Sequence, residues 1–263
     1  MNPVIRTERL SKEFGRHSAL RDVSVKMAAG EIVGLVGPSG AGKSTLLRTL
    51  NGFVEPSDGR ALVCGRDAAT LRGAALRAHR AEVGMIFQAF NLVRRLTARE
   101  NAAAGAAGRV STRRTVLGLL PAAERARTDA ALDRVGLGEW AEQRADTLSG
   151  GQQQRVAIAR TLVQAPRVVL ADEPVASLDP GSSERVLGLL RSLAHDDSRT
   201  VVVSLHQVEY AREFCDRIIA LEKGRVVIDA APSLIEESAW ERLYDSARAD
   251  VDEAKADLTG AVS

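Results

Sequence analysis

Short runs of apolar residues, separated by turns, mark both ends of the chain. Consecutive apolar residues predict strands at residues 31–36, 168–171, 200–205 and 217–222, and the first two of these are apolar enough to be buried. Lys223 and Gly224 follow the last run and predict a hairpin into a further strand at 225–228. Weaker β patterns at 4–5 and 19–27 predict additional strands near the N-terminus.

The middle of the chain has a different pattern. Between about residues 74 and 162, Ala, Arg and Leu recur at helical spacing, interrupted by glycines and Pro121. We therefore expect one domain over residues 1–230, with a helical subdomain inserted at about 89–160. Strands that alternate with helices predict an α/β fold with a mainly parallel sheet. The N-terminal strands predict a separate antiparallel β region.

Residues 231–263 are predicted to form a C-terminal acidic helical extension that is partly loose. Between residues 236 and 257 the chain carries eight Asp or Glu against three basic residues. A solvated helix that frays into a tail explains this composition, and a binding role stays open as the alternative.

Composition narrows the classes of function. The net charge of +2, from 36 basic and 34 acidic residues, gives no bulk electrostatic reason for binding nucleic acid, so no nucleic-acid partner is expected. Cys64 and Cys215 lack C-x-x-C or Cys/His spacing, which argues against a zinc site or a disulfide framework and suits a reducing cytoplasm. No apolar run approaches the roughly 18 residues that cross a bilayer. We expect a chain that does not span a membrane by itself.

The sequence G-P-S-G-A-G-K-S-T at residues 37–45 follows the predicted strand at 31–36 and satisfies the phosphate-loop pattern G-x-x-x-x-G-K-[ST]. Its glycines let backbone N–H groups approach a polyphosphate, and the following helix adds its positive end. Lys43 would reach the β- and γ-phosphates, and Ser44 would offer a hydroxyl to Mg²⁺. The predicted ATP-binding residues are Gly37, Pro38, Ser39, Gly40, Ala41, Gly42, Lys43, Ser44 and Thr45. A glycine-rich turn without a ligand is the alternative, which the flanking strand and apolar helix disfavour.

Two acidic residues end the predicted strand at 168–171. In a parallel sheet, ligands gather at the carboxyl ends of the strands, where Asp172 would emerge and hold Mg²⁺ through water. Glu173, the next residue, is the candidate general base, because a carboxylate beside the metal can polarise the water that attacks the γ-phosphate. The alternative is a pair of solvated surface charges.

The stretch L-S-G-G-Q-Q-Q-R at residues 148–155 predicts a helix that starts without hydrophobic side chains after Leu148. Its serine and glycines leave backbone N–H groups exposed, which is a geometry that binds anions. Together with the phosphate loop and L-A-D-E-P, this stretch resembles the ABC ATPases, which have a P-loop NTPase (RecA-like) core. The resemblance implies that this stretch is the signature of the family, formed by Leu148, Ser149, Gly150, Gly151 and Gln152. In the family, the signature closes over ATP that is held by the partner's Lys43. It therefore implies a head-to-tail homodimer with ATP and Mg²⁺ as cofactors.

Further residues match the family in its usual order. Gln88 in M-I-F-Q-A-F-N-L matches the Q-loop, where an amide could touch Mg²⁺ or the attacking water. His206 after V-V-V-S-L matches the switch histidine, which would contact the γ-phosphate, and Phe14 matches the aromatic residue that stacks on adenine. The match to the D-loop covers Ser177, Leu178 and Asp179. The resemblance thus implies that Lys43, Gln88, Glu173 and His206 are catalytic and that Ser44, Gln88 and Asp172 bind the metal.

Several longer sequence segments resemble those of the phosphonate importer ATPases. The segments that carry this resemblance are L-N-G-F-V-E-P at 50–56, L-G-L-L-P at 117–121, A-D-E-P-V-A-S-L-D-P at 171–180 and L-H-Q-V at 205–208. Ala89, Arg94 and the tail beyond about residue 244 depart from the subfamily pattern, so an importer for phosphite or another small solute stays open. A soluble ABC ATPase that is not attached to a transporter is a further alternative.

The resemblance also implies partners and a location. Two membrane-spanning permease subunits and a periplasmic-type or lipid-anchored substrate-binding protein would complete the importer, with this chain peripheral on the cytoplasmic face of the membrane. The basic residues between 94 and 114 lie where the family docks the permease's coupling helix, close to anionic headgroups. They are Arg94, Arg95, Arg99, Arg109, Arg113 and Arg114, against Glu100 alone. A solvated basic face is an equally open interpretation. The transported solute and the role of the acidic tail are not decided by the sequence.

Overall fold

The computed structural model describes residues 3–110 and 120–243, which form two sheets and seven named helices. The strands in chain order are β1 (Ile5–Phe14), β2 (His17–Val23), β3 (Lys26–Met27), β4 (Ile32–Val36), β5 (Asp58–Val63), β6 (Arg66–Asp67), β7 (Val83–Ile86), β8 (Val168–Ala171), β9 (Thr200–Ser204), β10 (Arg217–Glu222) and β11 (Arg225–Ala230). The helices are α1 (Lys43–Leu50), α2 (Gly73–Glu82), α3 (Ala98–Ala103), α4 (Ala122–Arg134), α5 (Gly150–Gln164), α6 (Pro180–His195) and α7 (Val208–Phe214).

The central sheet has the strand order β11-β10-β4-β9-β8-β7. Its strands β7, β8, β9, β4 and β10 are parallel, and only β11 runs antiparallel to its neighbour. Strands β4, β8 and β9 are completely buried, as their continuous apolar runs predict. The predicted mainly parallel sheet is therefore confirmed. Because β4, β9 and β8 are adjacent, the loops that follow them meet at one edge of the sheet.

The hairpin between β10 and β11 is also confirmed. Lys223 and Gly224 both have positive φ angles, 47° and 81°, which suits the two-residue turn that joins antiparallel strands.

A second sheet, with the order β2-β1-β5-β6 and with β3 paired to β1, forms the N-terminal antiparallel region. Its extent was not predicted correctly. The strand expected at 4–5 continues to Phe14, the one expected at 19–27 divides into β2 and β3, and β5 was not predicted at all. Polar residues dominate these strands because one face is solvated, so their apolar alternation is weak.

The helical stretch expected from about residue 74 contains a strand. Residues 83–86, V-G-M-I, form β7, which is completely buried and pairs in parallel with β8. A run of four apolar residues has no distinguishing period, and only its pairing with β8 makes it a strand. Helices α3, α4 and α5 follow and pack on one another, with Leu132, Leu137 and Val156 buried in the same core as the sheet.

The C-terminal extension is described as far as residue 243. Residues 237–243 are helical, and Trp240 and Leu243 are buried. The acidic residues beyond 243, and the end of the extension, lie outside the described residues. Among the described helices, none combines the length and the apolar character needed to cross a bilayer.

Candidate nucleotide site

The phosphate loop connects β4 to α1 with a backbone that requires glycine. Gly37 and Gly42 have φ angles of 137° and 105°. A methyl group at Gly37 would lie 2.0 Å from the carbonyl oxygen of Leu221, and one at Gly42 would lie 2.4 Å from that of Ala19. Strands β10 and β2 beside the loop thus leave room only for backbone at these two positions, which glycine alone satisfies.

Lys43 is the first residue of α1 and is almost completely buried. Its Nζ donates to the carbonyl oxygens of Gly37 (2.6 Å) and Pro38 (2.9 Å). Burial lowers the pKa of Lys43 from its usual value, while the nearby carboxylates of Glu173 and Asp172 act in the opposite direction. The ammonium group is therefore held across its own loop, in the position from which it can bind phosphate oxygens.

Asp172 joins the phosphate loop to the ends of β8 and β9. Its Oδ1 accepts hydrogen bonds from Ser44 Oγ at 2.7 Å and from Ser204 Oγ at 3.2 Å. Arg48 Nη2 lies 3.5 Å from its other carboxylate oxygen. The sequence predicted the pairing of Ser44 with Asp172 around one ion, but not the contributions of Ser204 and Arg48. Arg48 lies one helical turn after Ser44, which is the only sequence signal for it.

Glu173 has an unusual backbone conformation. Its φ angle is 48°, in the left-handed region, and its N–H donates to Ser204 Oγ at 2.8 Å. Its carboxylate Oε1 lies 2.6 Å from Nε2 of His206, which follows β9. A strained conformation that is fixed by a buried hydroxyl holds a carboxylate at the carboxyl end of the sheet.

Phe14 lies at the end of β1, and its side chain is 50% exposed. It forms one wall of a cavity of about 250 Å³ whose other walls are the phosphate loop and Glu173. Of the predicted site residues, this cavity is lined by Phe14, Ser39, Gly40, Ala41, Gly42, Lys43, Ser44, Thr45 and Glu173. A larger cavity elsewhere, described below, lacks these groups.

The signature begins α5. Ser149 is the N-cap, and it exchanges hydrogen bonds with Gln152: Gln152 N donates to Ser149 Oγ at 3.3 Å, and Ser149 N donates to Gln152 Oε1 at 2.8 Å. This is a capping box. Leu148 is buried, whereas Ser149 and Gly150 are exposed. The exposed helix start is available to a ligand from outside the chain.

The Q-loop and the D-loop lie beside the signature, and their residues do not line the phosphate cavity. A methyl group at Gly150 would lie 3.9 Å from Leu178 of the D-loop and 4.0 Å from the Phe90 ring, just after Gln88. Asp179 caps α6 by accepting from Ser182 N at 2.9 Å, and hydrogen bonds from the side chain and the backbone of Ser182 lower the pKa of Asp179. Gln88 itself is exposed. The structure therefore brings together Lys43, Ser44, Asp172, Glu173 and His206. It places the signature beside Leu178 of the D-loop and Phe90 of the Q-loop, and it leaves Gln88 exposed.

Comparison with known proteins agrees with this geometry. Residues 20–176, more than half of the chain, match the family model described as ABC transporter. The chain belongs to the ABC transporter family. It is thus an ABC ATPase, an ATP-hydrolysing subunit of a transporter.

Two curated relatives of this ABC ATPase are both named phosphonates import ATP-binding protein PhnC. The one from Frankia casuarinae is 49% identical, over 92% of this chain and 96% of its own length. The one from Escherichia coli O6:H1 is 46% identical, over 97% of this chain and 100% of its own.

Solved structures show the same fold. The ATP-binding cassette MJ0796, in a dimeric post-hydrolysis state bound to ADP and Pi, has a TM-score of 0.76 and 34% identity, covering 87% of this chain and 98% of that one. The cbiO1 protein from Clostridium perfringens, part of the ABC transporter complex cbiONQ, has a TM-score of 0.79 and 28% identity over 92% of this chain and 94% of that one. The P-loop NTPase fold expected from the sequence is confirmed.

Proposed function

We propose that this ABC ATPase powers the import of phosphonates. The observation that carries the ATPase activity is the convergence of Lys43, Asp172, Glu173 and His206 at the carboxyl ends of three adjacent strands. The relatives from Frankia casuarinae and Escherichia coli O6:H1, both named for phosphonate import, support the solute.

The residues at the phosphate loop fit a magnesium ion. The Ser44 hydroxyl and the Asp172 carboxylate meet at 2.7 Å, and both are hard oxygen ligands of the kind that Mg²⁺ prefers. Exposed Gln88 could add an amide oxygen. When bound with ATP, the ion would neutralise charge on the phosphates.

Hydrolysis needs a base and a group that orients the γ-phosphate. Glu173 is the acceptor for the proton of the attacking water, since this residue lines the cavity beside Lys43. His206, held at 2.6 Å from Glu173 Oε1, would donate to the γ-phosphate or fix the carboxylate. Lys43 balances phosphate charge, and Phe14 offers its exposed ring to adenine.

A second copy of the chain would complete each site. The signature helix starts in solvent rather than against the phosphate loop of the same chain, so Ser149 and Gly151 are free to approach ATP bound to the partner. Two such sites related by a two-fold axis form an isologous head-to-tail dimer. The structure of the MJ0796 cassette is dimeric, which supports this arrangement.

We place the permease contact where α2, α4, α5 and residues 104–109 meet. A cavity of about 650 Å³ lies there, and its basic lining residues are Arg77, Arg80, Arg109, Arg127 and Arg160. In the basic stretch, Arg99 pairs with Asp129 and Glu142, and Arg109 pairs with Glu124 at 2.8 Å, so both are used within the chain. Arg94 and Arg95 remain exposed for a permease or anionic headgroups, and Arg113 and Arg114 lie outside the described residues. The chain is then a peripheral subunit on the cytoplasmic face, with a binding protein delivering the solute from the other side.

The decisive experiment is growth of the source organism with and without the gene, on a phosphonate, phosphite or phosphate as sole phosphorus source. We expect growth on the phosphonate to be lost and to return with the intact gene but not with Glu173→Gln. Loss on phosphite alone would identify a phosphite importer. Unchanged growth on both, with the protein absent from washed membranes, would identify an ABC ATPase that is not attached to a transporter.

A further inference from the structure

The Q-loop, residues 87–92, lies along the signature helix α5. Phe90 and Asn91 both have positive φ angles, 59° and 50°, which cost free energy for residues other than glycine. Local hydrogen bonds shape the turn, from Phe90 N to Phe87 O (3.1 Å) and from Asn91 N to Ala89 O (2.6 Å). Such a pair of left-handed residues persists only where other contacts fix it.

Arg160 supplies those contacts from α5. Its Nη1 donates to the carbonyl oxygen of Asn91 at 2.6 Å, and its Nη2 donates to that of Phe90 at 3.0 Å. Burial lowers the pKa of the guanidinium. The planar guanidinium holds its two N–H donors in a fixed geometry that matches the two neighbouring carbonyl oxygens, whereas an ammonium group on a flexible stem is less preorganised for such a pair.

The helix α5 contacts the Q-loop at two places, at its start and at Arg160. Ser149 and Gly150 begin the helix, and Gly150 lies near the Phe90 ring. Arg160 holds the carbonyl oxygen of the same Phe90. Gly105 packs so closely on α5 that a methyl group there would lie 2.1 Å from the carbonyl oxygen of Arg160. The backbone of Arg160 is thus packed against Gly105 while its side chain binds the Q-loop.

Resting on the role proposed above for Gln88, we propose that Arg160 is a positioning residue that clamps the Q-loop to the signature helix. Gln88, two residues before Phe90, is thereby held at a defined place relative to Ser149. A movement of the signature towards the partner's ATP would carry the Q-loop with it, so that Gln88 and the signature act as one unit. Arg160 touches no reacting atom and works through the loop backbone.

The test compares Arg160→Met with Arg155→Met in the full-length chain. Arg155 lies on the same helix, outside the five signature residues, and its Nη1 donates to the carbonyl oxygens of Val135 (2.9 Å) and Gly136 (3.3 Å) within the helical region. We expect Arg160→Met to lower kcat for ATP about tenfold or more, because misplacing a positioned group is costly. KM for ATP should stay within about twofold, since the phosphate loop is untouched. Arg160→Lys should restore part of kcat, and Arg155→Met should retain kcat per folded molecule.

A double-mutant cycle separates the clamp from general destabilisation. If Arg160 acts through Gln88, the double variant Gln88→Ala, Arg160→Met should have kcat within about twofold of Gln88→Ala alone. If the double variant instead loses kcat by the product of the two single losses, the substitutions act independently and the proposal is overturned. An equal loss of kcat in Arg155→Met would overturn it as well.

Amide hydrogen exchange tests whether Arg160 holds the Q-loop, independently of whether Gln88 takes part in hydrolysis. Arg160→Met, but not Arg155→Met, should speed exchange across residues 87–92. Unchanged exchange would reject the clamp. Faster exchange together with normal hydrolysis by Gln88→Ala would support the clamp and reject the role of Gln88.

Discussion

His206 Nε2 lies 2.6 Å from Oε1 of Glu173, so the loops after β9 and β8 meet through these two side chains. Their backbones are joined as well, because Ser204 Oγ accepts from Glu173 N at 2.8 Å. The proposed base and the histidine proposed to orient the γ-phosphate are therefore in direct contact. This arrangement resembles that of other hydrolytic sites, in which a base is held by a third group.

Replacement of Glu173 by glutamine tests the assignment of the base. The amide keeps the size of the side chain but cannot accept a proton, so we expect steady-state hydrolysis to fall by about 100-fold or more while ATP binding persists. ATP should then accumulate in a stable dimer, visible by light scattering. Glu184→Gln, on the exposed surface of α6, is the control. Near-normal turnover by Glu173→Gln would remove Glu173 from this role.

Complementation between two inactive chains tests the composite site. Lys43→Ala should abolish ATP binding at its own phosphate loop, and Ser149→Arg should block the signature. A mixed dimer has one site with intact Lys43 and intact Ser149, so mixing should restore hydrolysis that neither variant shows alone. No restoration at any mixing ratio would count against a site shared between chains.

Ser204 is a buried hydroxyl that acts on both acids. We expect Ser204→Ala to lower kcat about tenfold and to raise the Mg²⁺ concentration needed for half-maximal activity, because Asp172 Oδ1 and Glu173 N both lose a partner. The lost hydrogen bonds should also reduce the free energy of unfolding by about 1–3 kcal/mol. Ser192→Ala, which removes a partly buried hydroxyl bonded to Leu189 O, is the matched control for stability. Equal kcat values for the two variants would contradict this prediction.

The dependence of Tm on acidic pH tests whether the ion pair of Arg109 with Glu124 stabilises the helical region. The hydrogen bond and charge of Arg109, with a further contribution from Arg127, lower the pKa of Glu124. A lowered carboxyl pKa gives stability that is present above the unfolded value of about 4.3 and is lost as the pH falls through the folded value. Glu124→Gln should therefore flatten the decline of Tm below about pH 4.3. Glu55→Gln, which removes an exposed partner of Arg72, should leave the decline unchanged; parallel profiles for wild type and Glu124→Gln would refute the contribution.

The sequence determined the parts of this protein that depend on local chemistry. The phosphate loop follows a buried strand and precedes α1, the strands at 168–171 and 217–222 have the bounds predicted for them, and α5 starts at the polar stretch 149–155. Each of these depends on residues close together in the chain: glycines for a tight loop, a serine for a helix cap, and an unbroken apolar run for a buried strand.

Tertiary structure decided what depends on partners distant in sequence. Residues 83–86 are a strand because β8 lies beside them, and β5 is a strand because β1 does. Ser44 meets Asp172 across 128 residues, and Arg160 meets Phe90 across 70. The roles of Ser204 and Arg160 could not be predicted, since a buried hydroxyl and a helical arginine are common residues until packing aims them at particular atoms. Sequence supplied the groups that bind phosphate, and packing supplied the groups that hold them in place.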